Sequence, residues 1–452
     1  MRELLRRLRF PHPLVLLVIG ALLAAVLTHI LPAGEYRRVE DPVLKRLVVV
    51  PDSYAPVAAS PVSLFGALVA IPKGMVDGAS IIFFIFLIGG AFSVVDQTGA
   101  LRRGVDWLAR RIDTRALLVI PIVSVCFAVG GGLENMEEEI IALVPALLLL
   151  VRRLGFDALT AAAMSGGTAM VAASFSPVNP FQVLLAQQLS AVPALSGAGF
   201  RTAFLAIALA IWIGWTMRHA RRTRTQPERE PSTQGSGGFS LRDGVVLGLV
   251  IAGFAVFILG VTRFGWDFDQ DGALFFAVGV LAGWIGGLGL SGTATAFAKG
   301  FADMAMAALL VGFARSISVV LMDGKVLDTI VRGLLAPVAS FPLTAAAGAM
   351  VGVHLTVHVL VPSVSGQAAL TMPVMVPLAD LLGLSRQVVV LAYQYGAGLC
   401  ELFTPTNGAL MAILAAAGVG FGQWLRFTIP ALVALLGLGL LAIGVAIAIG
   451  LT

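Results

Sequence analysis

Long apolar stretches, several of them broken by glycine and proline, are the feature that most constrains how this chain folds. The first covers residues 14–31, which nearly cross a hydrocarbon core of about 30 Å at about 1.5 Å per helical residue. Hydrophobic residues make up 58% of the 452-residue chain and charged residues 12%, whereas about a quarter of a soluble domain is charged. A cytosolic enzyme, a disordered regulator and a secreted disulfide scaffold are therefore excluded, and we predict an all-α integral membrane protein.

Arginines beside these stretches predict how the chain lies in the membrane. Arg2, Arg6, Arg7 and Arg9 precede the first stretch, which lacks a signal-peptide cleavage site, and cytoplasmic loops carry an excess of positive charge. We expect a multi-pass protein of the inner (cytoplasmic) membrane with a cytoplasmic N-terminus and an external C-terminus. The net charge of +5 is explained by such loops, so the expected partner is the lipid bilayer and not a nucleic acid.

The first half, residues 1–217, is predicted to be one membrane repeat. Its spans cover residues 14–31, 79–95 and 204–217, and a broken helix covers residues 158–191. The stretch 116–151 has arginines at both ends and Gly130-Gly131-Gly132 in its middle. We therefore expect a re-entrant hairpin there, because irregular backbone at membrane depth needs protein or water around it.

A cytoplasmic flexible linker, residues 218–244, is predicted from its arginines and its Ser/Gly-rich composition. The second membrane repeat follows over residues 245–452. Its predicted elements are spans at 245–259, 273–288, 305–322 and 427–449, a hairpin at 343–378 and a broken helix at 388–416.

An internal match suggests that the two halves are repeats. Phe175-Ser176-Pro177-Val178-Asn179 corresponds to Phe403-Thr404-Pro405-Thr406-Asn407 at an offset of 228 residues. The topology above gives the two halves opposite orientations, so we predict two inverted-topology repeats, each with a re-entrant hairpin and a broken transmembrane helix. Such repeats support alternating access around a midplane site. Shared glycine-rich composition is the alternative explanation of the match.

An acidic cluster lies at the first hairpin break. It reads Glu134-Asn135-Met136-Glu137-Glu138-Glu139. Ionised carboxylates at membrane depth are costly unless they are paired, protonated or solvated. We expect Asn135, Glu137, Glu138 and Glu139 to bind a cationic substrate, Na⁺ or a proton, unless the cluster is simply a cytoplasmic loop.

Short polar side chains mark the other breaks. They are Ser174, Ser176 and Asn179 in the first broken helix, Ser363, Ser365 and Gln367 in the second hairpin, and Thr404, Thr406 and Asn407 in the second broken helix. They could only cap half-helices, or they could cap and also contact a ligand, including Na⁺ at the hairpin tips. Gln394 and Glu401 lie within the second broken helix and are further candidates.

Three more polar residues interrupt apolar sequence. Arg315 could form a structural ion pair or bind a substrate carboxylate. His354 and His358 share a helix face at i, i+4 spacing, but no cysteine or carboxylate in that segment completes a zinc site. Interior hydrogen bonding or proton relay are the alternatives. No nucleotide-binding or nucleophile motif is present, so we expect neither catalysis nor a cofactor.

Several motifs resemble one transporter family. They are Pro11-His12-Pro13, Leu31 to Tyr36, Glu138-Glu139, Asn179-Pro180-Phe181, Ala314 to Val320, Val361 to Gly366, Met372-Pro373, Pro377 to Asp380, Tyr393-Gln394 and Thr404 to Gly408. The chain resembles the YfcC-like family, which is grouped with the anaerobic four-carbon-dicarboxylate carriers and often named as basic amino-acid antiporters. The resemblance implies the ion-transporter superfamily fold, and related proteins are commonly dimers.

Five residues depart from the family pattern. Ile140 follows the glutamate pair where a hydroxyl residue is typical, Glu134 and Glu137 are additional acids, and Cys400-Glu401 stands where a small or polar residue is expected. These changes would suit a more cationic ligand or stronger proton coupling.

We therefore predict a secondary active transporter of a small carboxylate-bearing metabolite, with a basic amino acid favoured, coupled to H⁺ or Na⁺ or running as an exchanger. A dicarboxylate carrier is the alternative within transport. A sodium/proton exchanger and a membrane scaffold without transport are alternatives of a different kind, and a homodimer is expected from the resemblance alone.

Overall fold

The computed structural model describes residues 11–42, 46–226 and 239–451. The N-terminal arginines and the centre of the predicted linker, including Pro231 to Gly238, lie outside these ranges. Within them, ten helical segments are long and apolar enough to cross a membrane. This architecture confirms the predicted helical membrane class.

The described residues of the first half form ten α-helices. They are α1 (Pro13–Ile30), α2 (Leu64–Asp77), α3 (Ala79–Gln97), α4 (Ala100–Ile112), α5 (Val119–Glu134), α6 (Glu138–Arg153), α7 (Ala158–Ala162), α8 (Thr168–Phe175), α9 (Leu185–Leu189) and α10 (Ala198–Thr223). Two π-helical turns, Ala163–Gly167 and Pro180–Leu184, connect α7 to α8 and lead into α9.

The second half contains nine α-helices among its described residues. They are α11 (Leu241–Phe264), α12 (Phe268–Gly286), α13 (Gly289–Asp323), α14 (Leu327–Leu335), α15 (Leu343–Leu360), α16 (Val364–Leu382), α17 (Arg386–Glu401), α18 (Gly408–Ala417) and α19 (Phe421–Ala448).

Two small antiparallel sheets lie between α1 and α2. In one, β1 (Gly34–Glu35) pairs with β4 (Ala55–Pro56), and in the other, β2 (Arg38–Asp41) pairs with β3 (Arg46–Val49). Asp328 anchors this segment to α14, because its carboxylate accepts a 2.7 Å hydrogen bond from the Tyr36 amide and forms a 2.7 Å ion pair with Arg38.

Local sequence explains why the helices break where they do. Asn135 ends α5 in the left-handed conformation, with φ of 55°. Ser363 caps α16, Asn179 caps the turn that begins at Pro180, and Asn407 caps α18. Each cap side chain accepts hydrogen bonds from backbone amides that would otherwise lack partners at a helix start.

The two broken helices cross at the centre of the molecule. In the most apolar 18-residue stretch of Ala158–Leu189, 94% of the residues are buried. Every residue of α17 from Gln387 to Glu401 is also buried. A glycine is needed at the crossing, because a Cβ on Gly398 would lie 2.6 Å from Ser174 Oγ. Phe175 and Tyr395 stack beside it with ring centroids 4.7 Å apart.

The hairpin arms pack against these broken helices rather than mainly against each other. In the first hairpin, α5 lies along α8, whereas α6 contacts α3 and α18. In the second hairpin, α15 and α16 both contact α17. The long helix α13 contacts α1, α2, α3 and α18, so it joins the outer helices to the second broken helix.

Several element boundaries differ from the sequence predictions. The predicted linker 218–244 is helical at both ends, because α10 continues to Thr223 and α11 starts at Leu241. Arginine is a good helix former, and Ser240 with Asp243 forms a capping box at the start of α11. Helices α2 and α4 lie outside all predicted spans. The inverted relation between the halves stays a prediction.

Candidate functional site

A cavity of about 590 Å³ brings the two hairpin breaks together. The first hairpin contributes the acidic cluster, the second contributes the stretch from Pro362 to Ser365, and the second broken helix contributes Glu401, Thr406 and Asn407. Trp266 and Phe268 line the cavity from the α11–α12 turn, and Arg315 lines it from α13. The cavity is therefore built by segments from both halves of the chain.

Four helix N-termini border this cavity. They belong to α6, α12, α16 and α18, whose first residues Glu138, Phe268, Val364 and Gly408 are among the lining residues. Backbone amides at a helix start carry partial positive charge, so such ends favour an anionic group. The cavity therefore offers positions for a carboxylate despite its acidic side chains.

Acidic side chains dominate the charge of the cavity. Its lining includes seven carboxylates and one guanidinium, namely Glu134, Glu137, Glu138, Glu139, Asp267, Asp271, Glu401 and Arg315. The guanidinium is already engaged, because Arg315 Nη1 lies 2.8 Å from Asp77 Oδ2. The cavity therefore has a strong negative excess, which favours a cationic ligand.

Glu137 and Glu401 form a carboxyl pair at the inner wall. Their side chains interact directly, and only 2% of Glu137 and 6% of Glu401 is exposed. Asn407 Nδ2 donates to Glu137 Oε2 at 3.3 Å, but Glu137 Oε1 has no hydrogen-bond partner among the described residues. Two buried carboxylates repel each other, so the pair is best satisfied when it shares a proton.

His358 lies beside this pair and has a defined tautomer. Its Nδ1 is 2.8 Å from Gln367 Oε1, while Gln367 Nε2 donates to the His354 carbonyl at 2.8 Å. Because Gln367 Oε1 only accepts, His358 Nδ1 carries the hydrogen and Nε2 presents a lone pair in the neutral ring. This Nε2 is buried without a hydrogen-bond partner among the described residues and lies 3.7 Å from Glu401 Oε1.

Most of the sequence-predicted site residues line the cavity. They are Asn135, Glu137, Glu138, Glu139, Arg315, Ser363, Ser365, Glu401, Thr406 and Asn407. The remaining six are fully buried outside it, namely Ser174, Ser176, Asn179, Gln367, Gln394 and Thr404.

The polar side chains at the tip of the first broken helix bond to backbone groups of the protein itself. Ser176 Oγ donates to the Gly132 carbonyl at 2.6 Å and accepts from the amides of Val178 and Asn179. The Asn179 side chain accepts from two amides of the following turn and donates to the Gly131 carbonyl at 3.0 Å. These contacts correspond to the capping alternative.

Gln394 connects this tip to a buried cation that the sequence analysis missed. Its amide donates to the Ser176 carbonyl at 2.7 Å and accepts from Arg201 Nε at 3.1 Å. Arg201 is fully buried and also donates to Gln387 and to the Ser196 carbonyl. An arginine one turn inside an apolar helix is the sequence signal that could have identified it.

The described chain can now be compared with known proteins. A family model described as "DcuC: C4-dicarboxylate anaerobic carrier" matches residues 10–448. The chain belongs to this family. It is therefore a membrane transporter and not an enzyme, which confirms the resemblance seen in the sequence motifs.

Curated relatives cover almost the whole chain. One from Escherichia coli K12, named "Putative basic amino acid antiporter YfcC", is 32% identical over 93% of this chain and 93% of its own length. Another, an uncharacterized protein from Haemophilus influenzae Rd, is 28% identical over 88% of this chain and 81% of its own length.

Two solved transporter structures are also similar. The YdaH transporter of Alcanivorax borkumensis matches with a TM-score of 0.38 and 17% identity, covering 97% of this chain and 99% of the other. The MtrF structure from Neisseria gonorrhoeae, whose description refers to a class of antimetabolite efflux pumps, matches with a TM-score of 0.43 and 16% identity, covering 98% and 96%.

Helix α12 supplies site residues that the sequence analysis did not select. Asp267 caps the helix, and Asp271 faces the cavity one turn later with Oδ1 lacking a partner among the described residues. The predicted span began at residue 273, just after both acids. The capping box formed by Asp267 and Gln270 is the signal that places them at the helix start.

Proposed function

We propose that this protein is a secondary transporter that carries a small cationic metabolite bearing a carboxylate, with a basic amino acid as the favoured substrate. The observation that carries this proposal is the excess of seven carboxylates over one guanidinium in the cavity. Opposite charges attract strongly in a site shielded from water. A cavity of about 590 Å³ also lies in the range that encloses small-molecule ligands.

The two ends of such a substrate meet different parts of the cavity. Its amino or guanidinium group contacts Glu137, Glu138 and Glu139, while its carboxylate lies at the starts of α16 and α18 near Ser363 and Thr406. The helix dipoles and the hydroxyl groups at these starts support the carboxylate. This division explains how a carboxylate-bearing ligand enters an acidic cavity.

We further propose that a proton is the coupling ion and that Glu401 carries it. Glu401 adjoins Glu137 on one side and the lone pair of His358 Nε2 at 3.7 Å on the other. Arrival of a cationic substrate beside Glu137 favours the ionised pair, so the shared proton leaves as the substrate binds. His358 Nε2 is the neighbouring base that accepts it.

Proteoliposome uptake of labelled arginine, lysine and ornithine tests this function. We expect saturable uptake that depends on a pH gradient, and Glu138→Gln should reduce it strongly while the purified variant elutes as a folded species. Ser174→Ala is the matched control, because Ser174 is buried outside the cavity. Undiminished uptake by Glu138→Gln would contradict the proposed site.

A dicarboxylate carrier is the second candidate, because the family description names four-carbon dicarboxylates and Arg315 lines the cavity. Arg315 would then exchange Asp77 for a substrate carboxylate. Competition of succinate and fumarate against arginine uptake separates the two candidates. If empty vesicles instead show Na⁺-driven pH changes without any organic substrate, a sodium/proton exchanger replaces both.

We propose that the protein lies in the inner membrane and that the basic ends of α6 and α10 face the cytoplasm. Arg152 and Arg153 end α6, and Arg221 and Arg222 lie in the last turn of α10. The two ends are adjacent, because the Thr225 amide donates to the Gly155 carbonyl at 2.9 Å. The excess of arginine at this face supports the assignment.

A further inference from the structure

A second, basic pocket lies at the arginine-rich face, separate from the transport cavity. It has a volume of about 290 Å³ and is formed mainly by the end of α10 and the start of α19. Its lining residues are Leu159, Trp215, Arg218, His219, Arg222, Gln423, Arg426 and Phe427. None of them lines the transport cavity, so this pocket has no part in the function proposed above.

The charge of this pocket favours an anion. Arg218 and Arg222 are four residues apart on α10, so they share one helix face, and Arg426 approaches from α19. No carboxylate is among the lining residues that the structure describes. The adjacent acid, Asp157, is held by His219 at 2.8 Å. Burial opposes its ionisation, but hydrogen bonds from His219 and Thr160 outweigh burial and lower the pKa of Asp157 to about 2.

The floor of the pocket is aromatic and fixed in place. Trp215 Nε1 donates to the Phe427 carbonyl at 2.9 Å, and the Trp215 and Phe427 rings lie 6.4 Å apart. Aromatic side chains concentrate at the membrane–water interface, where one end of the ring contacts lipid and the other contacts polar groups. An aromatic floor beside arginines therefore suits the level of lipid headgroups.

Exposed apolar stripes continue from the arginines along both helices. On α19, Val433 and Leu440 follow Arg426 at intervals of seven residues and are 60% and 47% exposed. On α10, Ile207 is 47% exposed and precedes Arg218 by eleven residues, which is about three helical turns. Residues at these spacings share a helix face, so each stripe lies in line with its arginine.

We propose that this pocket binds the headgroup phosphate of an anionic phospholipid in the cytoplasmic leaflet, with the acyl chains along the two stripes. Arginine forms paired hydrogen bonds to phosphate, and basic pockets between membrane helices suit anionic headgroups. The aromatic floor and the apolar stripes favour a lipid over free phosphate, because a soluble ion gains nothing from either.

Native mass spectrometry of the purified full chain tests the proposal with phosphatidylglycerol, phosphatidylcholine and inorganic phosphate. We expect retention of phosphatidylglycerol in preference to phosphatidylcholine, and the double variant R218Q/R222Q should weaken that retention by about tenfold or more, since a charged hydrogen bond contributes about 1.5–3 kcal/mol. Arg221→Gln is the matched control, because Arg221 is exposed on the same helix but does not line the pocket.

Three results would overturn the proposal. They are equal retention of the two lipids, equal loss in Arg221→Gln, and displacement of the lipid by millimolar inorganic phosphate, which would indicate a free-anion site. Thermal unfolding of each variant in phosphatidylcholine alone establishes that the fold is unchanged. Arginine binding to the transport cavity should persist in R218Q/R222Q, so failure of the lipid site and failure of the proposed transport function are distinguishable.

Discussion

The two broken helical regions share a sequence pattern but differ in what their breaks contact. Ser176 and Asn179 in the first are fully buried, and their side chains bond to the carbonyls of Gly132 and Gly131. Thr406 and Asn407 in the second line the acidic cavity. The polar side chains of the first break are therefore used within the fold, although Pro180 and Phe181 beside them line the cavity, whereas the polar side chains of the second break line it directly.

The hairpin partners explain this difference. Helix α5 lies directly on α8, and the approach requires glycine, because a Cβ on Gly131 would clash with the Ala169 carbonyl oxygen. The backbone of α5 thus fills the space at the first break. At the second break the neighbouring hairpin contributes Ser363 and Ser365 to a cavity instead. Both asparagines cap a helix start, but Asn407 also donates to Glu137 in the cavity wall, whereas Asn179 donates to the Gly131 carbonyl.

The largest expected effect is at the carboxyl pair beside the second break. Glu401→Gln should lower proton-coupled arginine uptake by about a hundredfold or more, because breaking an interaction with a buried charge costs about 3–5 kcal/mol. Uptake into proteoliposomes under an imposed pH gradient is the measurement. Thr404→Ser serves as the control, because Thr404 is buried outside the cavity and the substitution keeps its hydroxyl group. Equal uptake by Glu401→Gln and the control would contradict the role assigned to Glu401 beside the second break.

His358→Gln should separate coupling from binding at the same break. Without the imidazole lone pair, uptake should lose most of its dependence on the pH gradient, whereas exchange of labelled for unlabelled arginine should continue. The two assays are run on one proteoliposome preparation. If the variant loses both activities equally, His358 contributes to packing and not to proton transfer.

Alanine at either of the two matched asparagines removes a helix cap, but the two variants should differ in their effect on substrate binding. Asn179→Ala should lower stability by about 2 kcal/mol, because a helix cap and buried hydrogen bonds are lost, with little change in the KM of arginine uptake. Asn407→Ala should raise that KM severalfold, since Asn407 donates to Glu137 at 3.3 Å. Thermal unfolding and uptake kinetics of both variants test this, and a KM change in Asn179→Ala alone would reverse the assignment of the two breaks.

The smallest effect concerns the start of the first broken region, where Asp157 caps α7. Hydrogen bonds from His219 and Thr160, working against burial, lower the pKa of Asp157 to about 2, below the unfolded value near 3.9. Its stabilising contribution is therefore complete above about pH 4 and is lost as the pH falls towards 2, and we expect on the order of 1 kcal/mol after allowing for solvent screening.

The unfolding temperature of Asp157→Asn, measured from pH 6 to pH 3, should approach that of the unmodified protein at the acid end. Ser385→Ala removes the corresponding cap of α17 without a titrating group, so its effect should not vary with pH. A pH-independent difference for Asp157→Asn would contradict the assignment of its stabilising role to the ionised carboxylate.

Much of the architecture could be predicted from sequence because the membrane imposes it. Apolar length predicts helices such as α3, and the breaks at Asn135, Ser363 and Asn407 follow from glycine, proline and capping residues. Helix α4 was missed because its arginines and short length do not fit a membrane span. The end of α10 and the start of α11 were predicted to be linker, because an arginine-rich composition suits both a helix and a linker.

The candidate site could be predicted only in part, because composition does not show which polar group finds an internal partner. Asn179 and Asn407 have the same sequence context, yet only the environment distinguishes a buried cap from a cavity wall. Asp271 was missed because its role depends on α12 approaching the first hairpin across the fold. Arg315 was left with two alternatives, and its 2.8 Å contact with Asp77 places it in an ion pair at the edge of the cavity.

We expect the acidic cavity beside the second break to select a cationic substrate. Uptake of labelled arginine and labelled succinate by the same proteoliposomes, under one pH gradient, tests this most directly. The charge of the cavity predicts saturable arginine uptake that excess ornithine inhibits and excess succinate does not. Saturable succinate uptake with no uptake of arginine would contradict it.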